Sequence, residues 1–189
     1  MGALPKEDRY FTYADYREWE LAEGERFELI NGEAFAIAAP NEQHQLILVE
    51  LSTQFHIFLK GKPCKVIPAP YDVRLFYAED ESDDTVVQPD ITVVCDEKKR
   101  GPEGCRGAPD LVVEILSPSN NAIEMNRKFK LYQQAGIKEY WIVDPQEKTL
   151  TVFRFGNNPA FQIFTSTDTV SVDTIPGLCI ILEDVFAEG

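Results

Sequence analysis

The spacing of apolar positions changes several times along the chain, and each change marks an element. From Asn41 to about Lys60, Leu48, Leu51, Phe55 and Phe58 recur at intervals of three and four, which lines one face of a helix at about 100° per residue. His44 continues that stripe, Glu50 lies about 160° away on the expected solvent side, and Gly61 and Pro63 end the helix. Upstream, Thr12 and Asp15 form a capping box that predicts a short helix over 13–22. Arg26 to Ile30 and Glu33 to Ala38 then flank Asn31-Gly32, the dipeptide best suited to the two positive-φ positions of a type I′ turn. This pattern predicts an antiparallel hairpin.

Beyond the long helix the pattern becomes strand-like over Cys64 to Phe76, with a break near Pro68 and Pro70, then over Val86 to Cys95 and Asp110 to Leu116. The acidic run Glu79 to Asp84 and the segment Lys98 to Gly107 read as exposed loops. After Ser117-Pro118, Asn121 is placed to cap a helix with Glu124 at its third position, and Met125, Phe129 and Tyr132 form the buried stripe until Gly136. Glu139 to Val143 is a short strand closed by Asp144-Pro145. Leu150 to Phe155, Phe161 to Thr165 and Thr169 to Val172 predict a meander, with Leu178 to Leu182 as a last strand or edge. No repeat or long linker divides the chain. The expectation is one α/β (α+β) domain over 1–189: an N-terminal helix and hairpin (1–40), a core (41–145) and a C-terminal β extension (146–189).

Composition narrows the chemistry. With 44% hydrophobic and 26% charged residues in 189, the chain is an ordinary globular domain. Its 32 Asp and Glu against 18 Lys and Arg give a net charge of −14, which repels phosphate backbones, so a nucleic-acid partner requires local basic patches or bridging cations. The four cysteines are scattered without a C-x-x-C pair and read as free thiols. No apolar run suits a signal peptide or a membrane span, so the expected setting is cytoplasmic, with no membrane partner. Two histidines are too few for a multi-histidine metal site, and nucleophile-elbow, phosphate-loop and dinucleotide-turn motifs are absent.

Carboxylates remain. Asp90 and Glu114 each stand in an otherwise apolar strand pattern, and Glu114 among Val112, Val113, Ile115 and Leu116 costs several kcal/mol to bury unless paired or metal-bound. A strand with one wet face, carrying Asp110 and Glu114 outward, accounts for the same pattern.

Taken in order, the segments Phe27-Glu28-Leu29-Ile30-Asn31-Gly32-Glu33, Glu42-x-His44, Pro70-x-Asp72-Val73-Arg74-Leu75, Gln88-Pro89-Asp90, Ala108-Pro109-Asp110 through Ser119, Lys128-x-x-x-Tyr132 and Ala135-Gly136-Ile137 through Pro145 resemble the Uma-two family of the PD-(D/E)xK nuclease superfamily. The resemblance runs nearly end to end. It implies a restriction-endonuclease-like α-β-β-β-α-β core, with the N-terminal helix and hairpin and C-terminal antiparallel strands as additions. It also implies a metal-dependent endonuclease acting on DNA, in which Asp90 and Glu114 hold Mg²⁺, with Mn²⁺ as a substitute.

The chain departs from the superfamily motif where Leu116 replaces the expected lysine. Lys128 is the best substitute: it lies about 60–70° from the centre of its helix stripe, near enough to reach inward. A border lysine snorkelling to solvent is the plainer alternative. His44, Gln88 and Glu124 are supporting candidates, the last equally a capping acid. Asp72 is a weaker third acid, and Asp110 competes with Asp90 for the motif aspartate, Asp90 being preferred because it stands on the strand before Glu114. Tyr140, Trp141, Phe153 and Phe155 read as core rather than a base-stacking platform.

Two other functions fit the sequence. One is a catalytically inactive nuclease-fold binding or assembly protein, suggested by Leu116 and the acidic surface. The other is a metal-dependent hydrolase of a small phosphorylated substrate. A homodimer is expected, with the hairpin or the C-terminal strands as its interface.

Overall fold

The computed structural model describes residues 9–118, 122–156 and 158–187. Its elements run α1 (Tyr13–Tyr16), β1 (Phe27–Ile30), β2 (Glu33–Ala36), α2 (Glu42–Leu59), β3 (Lys65–Pro68), β4 (Val73–Arg74), β5 (Val86–Val87), β6 (Ile91–Val94), β7 (Arg100–Gly101), β8 (Gly104–Arg106), β9 (Leu111–Ile115), α3 (Ala122–Ala135), β10 (Glu139–Asp144), β11 (Thr149–Arg154), β12 (Ala160–Thr165), β13 (Thr169–Ser171), β14 (Cys179–Ile181) and α4 (Leu182–Val185). The order α2-βββ-α3-β10 is the expected core, and the fold is the expected α/β class with both additions in place.

The core sheet has the order β12-β11-β10-β9-β6-β3, and β9 and β10 are its parallel pair, joined through α3. Side chains on β9 alternate strictly. Leu111, Val113 and Ile115 pack toward α2, with Ile47, Leu51, Phe55 and Leu59, whereas Val112 faces Leu131, Tyr132 and Tyr140 on the α3 side. Glu114 shares the Val112 face. That face is covered by α3 and the second sheet, so Glu114 is only 8% exposed and a wet-faced strand is excluded.

The second sheet, β2-β1-β5-β4-β8-β7, is assembled mostly from very short strands. Asn31 (φ 50°) and Gly32 (φ 78°) make the expected hairpin turn between β1 and β2. Both long strand-like runs cross between sheets. Cys64 to Phe76 divides into β3 of the core and β4 of the second sheet, and Val86 to Cys95 divides at Gln88-Pro89-Asp90, where proline has no N–H to donate to a ladder. Gln88 and Asp90 thereby stand at the seam between sheets.

Several expectations are corrected. The first helix spans only Tyr13–Tyr16, although Asp15 accepts from the Thr12 backbone N–H at 3.0 Å as a capping acid. The segment Lys98–Gly107 is not a plain loop: it contributes β7 and β8, buries Cys105, and brings Gly104 so close that a Cβ would lie 2.2 Å from the Asp72 carbonyl oxygen. The acidic run is partly internal. Asp83 is buried, and its carboxylate accepts two hydrogen bonds from Arg74, whose guanidinium also lies 3.7 Å from the centre of the Tyr13 ring. Glu50 is half-buried and accepts from Gln54. Asn121, the expected cap of α3, lies outside the described residues.

The cysteine reading is corrected too. Cys64 and Cys95 form a disulfide, because the β3–β6 register that pairs Lys65 with Val94 sets them opposite one another; Cys105 and Cys179 are free. The C-terminal extension closes the α2 face: Val170, Val172, Ile175, Ile180, Leu182 and Val185 join the core cluster there. Buried Glu139 anchors it by accepting from the Thr174 backbone N–H and hydroxyl at 3.1 and 3.0 Å. Tyr140 and Trp141 are wholly buried, as core residues should be. Among the described residues no helix is long and apolar enough to cross a membrane.

Candidate active site

Asp90 directly precedes β6. The antiparallel register pairs Ile91 with Val113, and one step further sets Asp90 opposite Glu114. Both carboxylates line a cleft of about 170 Å³ between the two sheets, together with His44, Gln88, Glu28, Arg26, Glu124 and Lys128.

Each carboxylate is held in place. Asp90 Oδ2 accepts the Ile115 backbone N–H at 2.7 Å, and Oδ1 lies 3.1 Å from His44 Nε2. His44 comes from the first turn of α2, where its N–H is capped by Asn41 Oδ1 at 2.9 Å. Burial lowers the His44 pKa, but the hydrogen bond and charge of Asp90 outweigh that and raise it. Glu114 Oε1 accepts from Lys128 Nζ at 3.0 Å and from the Tyr132 hydroxyl at 2.5 Å. Its other oxygen takes no hydrogen bond among the described residues.

Lys128 is 5% exposed, so it is not a snorkelling border residue. Its ammonium bridges Glu114 and, at 2.9 Å, Glu28 of β1. Burial opposes that charge, yet the two carboxylates more than compensate and hold the lysine protonated. Glu114 itself is pushed up to about 7, first by burial, which the Lys128 charge offsets only in part and which the nearby Asp90 and Glu28 charges reinforce. Two buried carboxylates, a half-buried third and one ammonium leave the site short of positive charge.

Of the residues expected from sequence, Asp90, Glu114, Lys128, His44, Gln88 and Glu124 all line this cleft. Gln88 acts indirectly. Its backbone N–H donates to Glu28 at 2.9 Å, while its side chain turns away and donates to Asp72 at 2.8 Å. Asp72, also held by the Tyr16 hydroxyl at 3.1 Å, does not line the cleft. Asp110 is elsewhere: it accepts from Lys138 at 2.6 Å and from the Cys95 N–H at 2.7 Å, at the other end of β9 from Glu114. Leu116 lines the cleft at the motif's lysine position, and Lys128 reaches the same carboxylate from α3.

Glu28 is the residue that sequence reasoning passed over. It is 4% exposed in a strand buried along its whole length, Phe27-Glu28-Leu29-Ile30, so the burial argument applied to Glu114 finds it as well. Its partner lies a hundred residues away.

Among the described residues no three His, Cys, Asp or Glu are grouped to share a metal ion. Two carboxylates nonetheless suit Mg²⁺, which keeps several waters and takes oxygen ligands from substrate phosphate.

The cleft, with its two carboxylates and helix-borne lysine, lies at the end of the mixed core sheet of this α/β fold. The family described as "Putative restriction endonuclease" (Uma2) matches residues 13–183, and the chain belongs to it. Two similar proteins come from Synechocystis sp. (strain ATCC 27184 / PCC 6803 / Kazusa). "Uncharacterized protein slr1290" is 25% identical over 175 residues (91% of this chain, 89% of that protein), and "Uncharacterized protein sll1609" is 28% identical over 139 residues (72% and 76%). A solved structure from Anabaena variabilis ATCC 29413, described as "a putative nuclease belonging to DUF820", has the same fold. Its TM-score is 0.73 at 22% identity, covering 93% of this chain and 97% of that one.

Proposed function

We propose that the chain is a Mg²⁺-dependent endonuclease that hydrolyses phosphodiester bonds in DNA. The observation that carries this reading is the facing of Asp90 and Glu114 across β6 and β9, with Lys128 Nζ 3.0 Å from Glu114.

Asp90 and Glu114 would hold the cation, which when bound supplies Lewis-acid stabilisation and lowers the pKa of water. His44 and the Ile115 N–H orient Asp90. Lys128 favours the ionised form of Glu114 against the effect of burial and sets a fixed positive charge beside the place where negative charge develops on the phosphoryl oxygens. Glu28, itself held by the Gln88 backbone N–H, holds Lys128 in turn. Glu124, in the first turn of α3, closes one side of the cleft.

Incubation of the protein with plasmid and linear duplex DNA in Mg²⁺ or Mn²⁺ tests the reading. The expected result is strand cleavage that EDTA abolishes and that the Asp90→Asn variant lacks. Duplex binding untouched by EDTA and by Asp90→Asn, without cleavage, would instead establish a non-catalytic binding protein. Turnover of nucleotides but not polymers would establish a small-substrate hydrolase.

The reading includes a homodimer paired through β12. This edge strand of the core sheet carries no charge or proline from Ala160 to Thr165 and leaves Phe161 and Ile163 68% and 60% exposed, an edge with none of the usual protection against pairing. Sedimentation at micromolar concentration is expected to show a dimer, and Ile163→Lys a monomer. A wild-type monomer would refute the pairing.

A further inference from the structure

We propose that Arg26 is a phosphate anchor of the cleft, holding a backbone phosphate of the DNA strand through its guanidinium; this inference rests on the nuclease reading above. Arg26 stands two residues before Glu28 at the entrance to β1, and alternation puts the two side chains on one face, about 7 Å apart along the strand. Both line the cleft, Glu28 beside Lys128 and Arg26 further toward the end of the strand. The hairpin fixes that point, since the Arg26 carbonyl accepts the Ile37 N–H at 2.9 Å.

The rest of the wall on this side is Ala36, Ile37, Ala38, Ala39 and Pro40, which offers no side-chain acceptor. Arg26 is half-buried, yet among the described residues it makes no ion pair and no side-chain hydrogen bond. Four other arginines of this acidic chain pair, Arg9 with Asp15, Arg17 with Glu81, Arg74 with Asp83 and Arg154 with Asp173, while Arg100, Arg106 and Arg127, which form no ion pair among the described residues, do not line the cleft as Arg26 does. The cleft's other inner cation, Lys128, is already neutralised by two carboxylates. A guanidinium left without an acceptor in a cleft rich in carboxylates matches a ligand that brings its own anionic oxygens. A planar fork suits phosphate, which it binds through paired N–H···O bonds. It also supplies, at the site, the local positive charge that a net charge of −14 otherwise denies a polyanion.

The test measures binding of a fluorescent duplex oligonucleotide across a salt series with Ca²⁺ in place of Mg²⁺, alongside calorimetric titration with Mn²⁺. Arg26→Gln is expected to bind Mn²⁺ like wild type, to lose about tenfold in duplex affinity, and to reduce the slope of log K against log salt by about one. Arg26→Lys is expected to keep the slope while losing affinity. Wild-type affinity and slope in Arg26→Gln would overturn the anchor and leave the nuclease reading standing. Loss of Mn²⁺ binding in Arg26→Gln would also overturn it, by showing that the residue acts on the carboxylates. Wild-type protein that takes up Mn²⁺ but binds no duplex would overturn both.

Discussion

Lys128→Met is expected to lower the unfolding free energy by about 3–5 kcal/mol at pH 7, because it removes the one ammonium between two buried carboxylates and leaves them facing each other. Methionine fills the space, so the loss reports charge rather than a cavity. Urea denaturation measures it. The double variant Lys128→Met/Glu28→Gln is expected to regain part of that stability, since only Glu114 is then left uncompensated. Cleavage activity is expected to fall by roughly 10²–10³-fold in Lys128→Met and to stay low in the double variant, because preorganised positive charge near the phosphoryl group is not restored. This split separates structure from chemistry. Equal recovery of both quantities would mean that Lys128 acts through folding alone. Loss of less than about 1 kcal/mol in the single variant would mean that the carboxylates already share a proton without it.

Much of this arrangement is legible before any coordinates. The hairpin follows from Asn31-Gly32, whose φ angles of 50° and 78° are those the turn demands. The α2 stripe follows from spacing, with one refinement: Ile47, Leu51, Phe55 and Leu59 are its fully buried line, while Leu48 and Phe58 sit at its border. Glu114 declares itself as a carboxylate too costly to bury alone, and Lys128 by its place on the wheel.

What escapes has a common physical cause. The second sheet is built largely from strands of two or three residues, whose periodicity is too short to register and whose pairing is decided by distant partners, as when β4 pairs with β8. Glu28 finds its role only through Lys128, and Arg26 only because the hairpin folds against the seam. The Cys64–Cys95 link depends on the register of β3 on β6, which spacing between cysteines does not encode. Asp83 sits in an acidic run that reads as exposed, yet Arg74 draws it inward.

Mn²⁺ affinity is expected to fall as pH drops below about 7, by about fivefold from pH 7 to pH 6 and toward tenfold per unit beyond, because the cation competes with the proton that Glu114 binds. The sign follows from the raised carboxyl. In the metal-free protein Glu114 holds a proton more tightly folded than unfolded, so its contribution to stability is lost as pH rises from the ordinary carboxylate range through about 7. A cation offsets that loss, and metal-induced stabilisation is expected to grow over the same window. His44 acts in the same direction, since its protonated ring beside Asp90 occupies the charge a cation would use. Calorimetric titration at three pH values tests this in wild type, Asp90→Asn and Glu114→Gln. Both variants are expected to lose more affinity than the roughly 10–100-fold that removal of a supporting partner costs, because each deletes one of the two proposed ligands. Affinity that is flat from pH 6 to 8 in the wild type, or unchanged in either variant, would place the cation elsewhere than on Glu114 and Asp90.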